Sequence, residues 1–168
     1  MSLSPGPVTS IRPATRADVP VILAFIRELA EYERLTHEVV ATEELLDAAL
    51  FGARPEAEVL IASADGTPVG FALFFANFST FQARAGLYLE DLFVRPAFRG
   101  LGLGKRLLIE VARLAVDRGC GRYEWSVLDW NEPSIKFYES LGAEMHASWR
   151  RMRVTGLALQ QLAARPQG

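Results

Sequence analysis

Cysteine and histidine are almost absent. Cys120 is the single thiol, and His37 and His146 are the two imidazoles. One thiol cannot close an internal disulfide or build the Cys/His cluster of a structural zinc. Two isolated histidines offer little for a His-based triad or metal site, so no metal is expected. A reducing cytoplasm, where thiols stay unpaired, is the expected compartment. No run approaches the roughly 20 apolar residues that span a bilayer, so no membrane partner is expected. A strong charge of one sign is lacking too. The net charge is −2, which supplies no general attraction to nucleic acid, and none is expected as a partner. The densest basic run, Trp149-Arg150-Arg151-Met152-Arg153, is short enough to read as a solvated strand face. Residues 1–7 have neither the basic nor the apolar region of a signal peptide. They are expected to form a leader outside the fold, flexible or partly vector-derived.

What remains is the composition of a packed protein. Half the residues are apolar and 23% are charged, which suits one core-forming domain, here residues 8–164, and not a disordered chain. Val8 to Arg12 reads as a strand ended by Pro13, with Thr15 or Asp18 as the cap of a following helix. Val19, Ile22, Leu23, Ile26, Leu29 and Ala30 recur at helical spacing. Thr42 followed by Glu43 and Glu44 marks a second helix start, stopped at Gly52 and Pro55. Val59 to Ala62 and Val69 to Phe75 read as strands joined at Asp65-Gly66, a hairpin signal. Ala76 to Gly86 reads as a polar connection of the kind that carries substrate contacts. Leu87 to Val94 is a strand, apolar except at Glu90 and Asp91. A helix with Leu107, Leu108, Val111, Leu114 and Ala115 on one face precedes a strand over Arg122 to Leu128. Asn131 and Pro133 open a short helix to Leu141. One or two strands are expected between Glu144 and Val154, then a tail with some helical character. The order β-α-α-β-β-β-α-β-α-β predicts an α/β domain: a mixed, mostly antiparallel sheet with helices on both faces.

Between strand and helix lies Arg99-Gly100-Leu101-Gly102-Leu103-Gly104-Lys105. Glycines there allow close approach, and the helix start favours an anion. A Walker A loop fails, because Arg99 stands where its first glycine belongs and Arg106 follows Lys105. The dinucleotide pattern Gly-x-Gly-x-x-Gly fails as well, ending on Lys105 or Leu107. The segment fits Arg/Gln-x-x-Gly-x-Gly/Ala, the pyrophosphate loop of the GNAT N-acetyltransferases.

From about Ile11 to Leu162 the chain resembles that family. Within it, the chain is similar to the spermidine/spermine N1-acetyltransferase group. The resemblance rests on Ile11-Arg12-Pro13-Ala14-Thr15, Glu28-Leu29-Ala30-Glu31-Tyr32-Glu33, Tyr88-Leu89-Glu90-Asp91, Phe98-Arg99-Gly100, and Trp130-Asn131-Glu132-Pro133-Ser134 with Phe137-Tyr138. It implies acetyl-CoA as co-substrate and a homodimer. It also implies that Leu92, Phe93 and Val94 pair through their backbone with the pantetheine arm, and that Arg99 to Lys105 hold the pyrophosphate. Asn131, Glu132, Pro133 and Ser134 would line the later channel, with Tyr138 near the thioester sulfur.

Acyl transfer to an amine needs a neutral nucleophile, a polarised carbonyl and a proton for the departing thiolate. Tyrosine, with a reference pKa of about 10, is protonated at neutral pH, which suits Tyr138 as the acid. Glu90 is the candidate base, directly or through water. Duller readings stand beside these. A tyrosine in a short amphipathic helix is most often packing. Glu90 and Asp91, neighbours in a strand, point to opposite faces, so at least one is a solvated or structural group. Cys120 reads as buried filler, and Trp125 and Trp130 as core or rim aromatics.

Where the polyamine enzymes carry Asp-Pro-Trp, this chain has Ser79-Thr80-Phe81. That loop, Asp117-Arg118-Gly119-Cys120 and Val127-Leu128-Asp129-Trp130-Asn131 are closer to the relatives that acetylate thialysine. The expected acceptor is a small primary amine held by Tyr32, Glu33, Glu90, Asp91 and Asp129. A protein lysine or N-terminal acetyltransferase and a non-catalytic acyl-CoA-binding module are the alternatives.

Overall fold

Alternation of period two and one tight turn build the sheet. In the computed structural model, which describes residues 6–166, β1 (Thr9–Pro13), β2 (Glu58–Ala64), β3 (Thr67–Ser79), β4 (Arg84–Val94) and β5 (Tyr123–Trp125) lie side by side in chain order. Most of the expected leader, residues 1–5, lies outside the described residues. The turn between β2 and β3 is Asp65–Gly66, with φ of 48° and 78°. Both central residues are left-handed, as a hairpin turn matched to strand twist requires. The pairs β1–β2, β2–β3 and β3–β4 are antiparallel. Only β4–β5 is parallel, because α3 (Leu103–Asp117) makes the crossover between them.

Helices cover both faces of this sheet. From α1 (Val19–Tyr32), Ile22, Phe25 and Leu29 pack on Val59, Ile61, Phe71 and Phe93, joined by Leu50 of α2 (Glu43–Phe51). The Phe25 and Phe71 rings stack with centroids 5.5 Å apart. Phe93 enters that cluster, whereas the next residue, Val94, lies 3.9 Å from where a Cβ on Gly104 of α3 would stand. Successive strand side chains face opposite ways. α3 therefore covers the other face, with Leu107, Leu108 and Val111 buried.

The entry to α1 is set by one carboxylate. Asp18 accepts hydrogen bonds from the Thr15 amide at 2.7 Å and the Thr15 hydroxyl at 3.0 Å. The Arg12 guanidinium adds two more, at 2.7 and 2.8 Å. These bonds, the Arg12 bond foremost, hold the Asp18 carboxyl down at about 2, against the opposing pull of burial.

Three expectations need correction. Residues 76–86 are mostly strand, not loop: β3 runs to Ser79, β4 starts at Arg84, and Ala76, Asn77, Phe78 and Ser79 pair with Leu87, Gly86, Ala85 and Arg84. The polar Asn77 is tolerated there because its amide donates to Glu124 at 3.1 Å. The strand expected over Arg122 to Leu128 is shorter, Tyr123–Trp125, and faces Leu87–Leu89. Beyond Leu89 the β3–β4 register shifts, with Leu73 opposite Asp91 and Phe74 opposite Leu89. Glu90 is thus the extra residue of a bulge, which bends β4 away from a longer partner. Residues 144–154 form no strand. A segment with no neighbour to complete its ladder gains nothing from extension, and Trp149 and Met152 there are 78% and 91% exposed.

The chain divides into two compact units, one ending at Ser126 and one starting at Val127. The sheet and α1–α3 form the first. The second contains α4 (Glu132–Ser140) and α5 (Gly156–Ala163).

Asp18→Asn keeps the shape of the cap but removes the charge that Arg12 answers. Its native pKa is depressed, so the stability it adds is complete above the unfolded value of about 4 and lost as pH falls through about 2. The variant is expected to be less stable by about 1–3 kcal/mol near neutrality. That gap should close toward pH 2, as read by denaturant unfolding at a series of pH values.

Candidate functional site

The glycine segment folds into an open turn ahead of α3. Gly100 and Gly102 are left-handed, with φ of 87° and 72°. A Cβ on either would meet nothing within 4 Å, so the space before them is clear. Gly102 is the N-cap and contributes no capping side chain. The first helical bond runs from the Arg106 amide to the Gly102 carbonyl at 3.0 Å. The amides of Leu103, Gly104 and Lys105 precede it and have no partner within the helix. Amides at a helix start, with the positive end of the dipole behind them, fit a pyrophosphate.

Beside this turn lies an open strand edge. β4 pairs with β3 through to Val94, but β5 covers only Leu87, Tyr88 and Leu89. Among the described residues no strand lies against the other edge from Glu90 to Val94. The Arg95 amide donates to the Val69 carbonyl at 2.9 Å. Antiparallel pairing alternates, so Phe93 and Arg95 address β3 while the backbone groups of Leu92 and Val94 face the open edge. Those groups fit an amide-bearing arm that adds to the sheet as a strand would. One acceptor is already used: Arg99 Nε donates to the Val94 carbonyl at 3.1 Å.

The bulge gathers acid at the head of that edge. Glu90 is exposed and Asp91 half-buried. Asp91 is pushed up to about 7, first by burial, then by the negative charges of Glu90 and of Glu33, which caps the end of α1. Burial also raises Glu33. Three of the five residues expected to hold an amine therefore act on one another. A fourth, Tyr32, ends α1 beside them, its ring 5.2 Å from the Arg99 guanidinium carbon. Arg34, immediately after Glu33, has a φ of 62°, a left-handed conformation that costs a non-glycine residue free energy. Among the described residues no group of three or more His, Cys, Asp or Glu is arranged to hold a metal ion. Uncompensated carboxylates of this kind suit an organic cation.

The remaining expected residues belong to the second unit. Asn131 is buried and caps α4, its side-chain oxygen accepting from the Ser134 amide at 3.4 Å. Glu132 and Pro133 form the first turn of α4. Ser134 and Tyr138, four residues apart and both half-buried, share one face of the helix. The Phe137 and Tyr138 rings lie 5.4 Å apart. Asp129 is exposed just before the cap. Trp130 is 50% exposed, a rim residue, while Trp125 packs on Tyr123 with centroids 5.0 Å apart. Cys120 is half-buried, less enclosed than expected.

Two features escaped sequence reading. One is the bulge at Glu90, whose neighbours Leu89 and Asp91 offer no glycine or proline as a sign. The other is the Tyr88 hydroxyl, 2.6 Å from the Ser126 hydroxyl across the β4–β5 pair. Its signal would have been the parallel register, which needs the structure.

Residues 24–143 match the acetyltransferase (GNAT) family, and the chain belongs to it. It is similar to the thialysine N-epsilon-acetyltransferase of Bos taurus, at 40% identity over 92% of this chain and 97% of that protein. It is also similar to the L-ornithine N5-acetyltransferase of Arabidopsis thaliana, at 39% identity over 90% of this chain and 86% of the relative. Among solved structures, an integron cassette protein from the mobile metagenome of V. cholerae superposes with a TM-score of 0.78 at 25% identity, covering 94% of this chain and 98% of its own. The protein is an N-acetyltransferase acting on amines, and members of this family in general use acetyl-CoA.

An acid whose native pKa lies above its unfolded one binds extra protons when folded. Stability contributed by protonated Asp91 is therefore lost as pH rises from about 4 through about 7. Asp91→Asn should unfold with a weaker pH dependence over that window and be more stable than the native protein above it, by at most about 4 kcal/mol. Chemical denaturation at pH values spanning the window measures both.

Proposed function

We propose that the protein transfers an acetyl group from acetyl-CoA to the terminal primary amine of a small amino acid or diamine. The observation that carries this reading is the acidic group Glu33, Glu90 and Asp91 at the head of an open strand edge. A polar site poor in countercharge favours an ammonium, and the one nearest the transfer point must lose its proton before it can attack. The named relatives act on thialysine and L-ornithine, both amino acids with a terminal amine, and this supports an acceptor of that size.

Acetyl-CoA supplies the activated acetyl thioester. In this reading the amides of Leu103, Gly104 and Lys105 receive its pyrophosphate, and the edge groups of Leu92 and Val94 receive the arm. Asn131 to Ser134 line the channel. Asp91 and Glu33, with Tyr32 and Asp129, orient the acceptor. Glu90, exposed at the bulge, takes the proton from the ammonium through water. The neutral amine attacks directly, and Tyr138 gives its proton to the departing thiolate. Residues 8–164 act as one catalytic domain. The reading includes a homodimer, consistent with apolar residues such as Trp149, Met152 and Leu157 left exposed in the second unit. It also includes a reducing cytoplasm, consistent with the single Cys120.

Turnover of acetyl-CoA against thialysine, ornithine, lysine, putrescine, spermidine and a lysine peptide tests the acceptor. The free amino acids or the diamine should lead, and preference for the peptide would reverse the assignment. Tyr138→Phe is expected to lower kcat by about 10²–10³ while CoA affinity changes only a few-fold, as the loss of a general acid requires.

A further inference from the structure

Residues directly opposite one another in paired strands share a face of the sheet. On the face that α1 covers, Phe71 lies opposite Phe93, and Leu73 opposite Asp91. Beyond the bulge the same face continues with Phe75 opposite Tyr88, their rings 5.3 Å apart. Tyr88 in turn is opposite Glu124 of β5, and Asn77 opposite Gly86 comes next. The acids that act on one another at Asp91 therefore stand at one end of a row. Tyr88, Glu124 and Asn77, all half-buried, extend it away from α1.

Three side chains converge at the far end of that row. Asn77 Nδ2 donates to Glu124 Oε2 at 3.1 Å, and Arg122 Nε lies 2.9 Å from the same oxygen. Gly86 makes room for them: a Cβ there would stand 2.5 Å from Asn77 Oδ1 and 2.9 Å from Arg122 Cγ. Among the described residues Glu124 Oε1 takes no hydrogen bond. Arg122 Nη2 donates to the Phe78 carbonyl at 3.3 Å, and Nη1 is left over. The Arg118–Glu58 pair shows the structural alternative. Its Nη1 and Nη2 bind Oε1 and Oε2 at 2.6 and 2.8 Å, fork to fork, so both oxygens are filled. Asn77 Oδ1 is buried without a hydrogen-bond partner among the described residues, which costs stability. Packing alone therefore does not account for the cluster.

We propose that Glu124 and Arg122 form a head-group subsite for the amine acceptor, which selects an α-amino acid over a diamine. This rests on the acceptor reading above and decides between its two substrate classes. The open Oε1 of Glu124 accepts from the α-ammonium, and the open Nη1 of Arg122 donates to the α-carboxylate. The pair has no net charge, which suits a zwitterion, whereas a diamine offers a second cation and nothing for Arg122. The spacing agrees. Leu73 and Phe75, opposite Asp91 and Tyr88, are two residues apart in β3, about 7 Å along the strand, and β5 lies about 5 Å to the side. A terminal amine four or five bonds from its α-carbon, at ~1.5 Å per bond, spans that interval once the reach of the two carboxylates is added.

The test uses one carbon skeleton with and without the head group. L-Ornithine carries both head-group charges, putrescine only the ammonium, and butylamine neither. Amine KM and kcat are measured by steady-state turnover, and CoA Kd by direct titration, for native protein, Arg122→Gln, Arg122→Lys and Glu124→Gln. The Arg122 and Glu124 side chains are 35% and 44% exposed, so these variants should keep the native unfolding transition. Native protein is expected to favour ornithine over putrescine by about tenfold or more in kcat/KM. Arg122→Gln should raise ornithine KM about tenfold and putrescine KM by less than about threefold, and Arg122→Lys, which restores a cation, should recover most of that rise. Glu124→Gln should raise KM about tenfold for ornithine and putrescine alike. Butylamine KM and CoA Kd should stay within about threefold throughout, which a merely structural loss would not allow. A native preference for putrescine, or a defect in either Gln variant that extends equally to butylamine or CoA, would overturn the proposal. A native protein that binds CoA but acetylates none of the three amines defeats the acceptor reading instead. Titration of ornithine into the CoA-bound protein then decides on the subsite. Binding about tenfold weaker in Glu124→Gln supports it, and binding that is equal in the two proteins, or absent from the native one, overturns it.

Discussion

Strand β4 uses its two edges differently, and the site depends on that difference. One edge is paired along its length with β3. The other is paired with β5 for three residues and then released by the bulge at Glu90. A regular strand would have continued the parallel ladder and left no backbone for a ligand. The same bulge brings the Glu90 carboxylate into the field of Asp91, which alternation alone would have placed on the far side of the sheet. One inserted residue thus opens the edge and assembles the acids beside it.

The rest of the first unit holds that strand in place. Phe93 lies against Phe25 with ring centroids 6.2 Å apart, and Val94 passes close to Gly70 of β3, where an added Cβ would stand 3.0 Å from its side chain. The Asp18 cap starts α1, which ends at Tyr32 with Glu33 as its C-cap, and the Glu33 charge acts on Asp91. Burying a carboxylate without a cation is unfavourable, and Asp91 shows that cost as a raised pKa.

Much of this is legible in the sequence itself. The glycine segment could be separated from two rival phosphate motifs by counting residues. Asp65-Gly66 announced its hairpin, and the apolar spacing of α1 and α3 announced both helices. What could not be read depended on distant partners. Asn77 looks like a loop residue until Glu124, 47 positions away, accepts its amide. The expected strand at Arg122 to Leu128 has the right residues but meets a partner that bends away after Leu89. Residues 144–154 have strand-like composition but belong to no strand of the sheet. Of the site, Glu33, Glu90 and Asp91 were placed together by family resemblance, and their mutual electrostatics emerged only from the geometry.

An unpaired strand edge is a hazard as well as a docking place. Leu92, Phe93 and Val94 form an apolar run, and the backbone groups of Leu92 with the amide of Val94 are a template for any extended chain. Natural sheets blunt such edges with charge, and here Glu90 and Asp91 at one end and Arg95 and Arg99 at the other bracket the run with opposite signs. The bracket repels a uniform strand of another molecule yet leaves room for a slender, non-peptide arm. The charges at the two ends of the edge also guard the protein against pairing with itself.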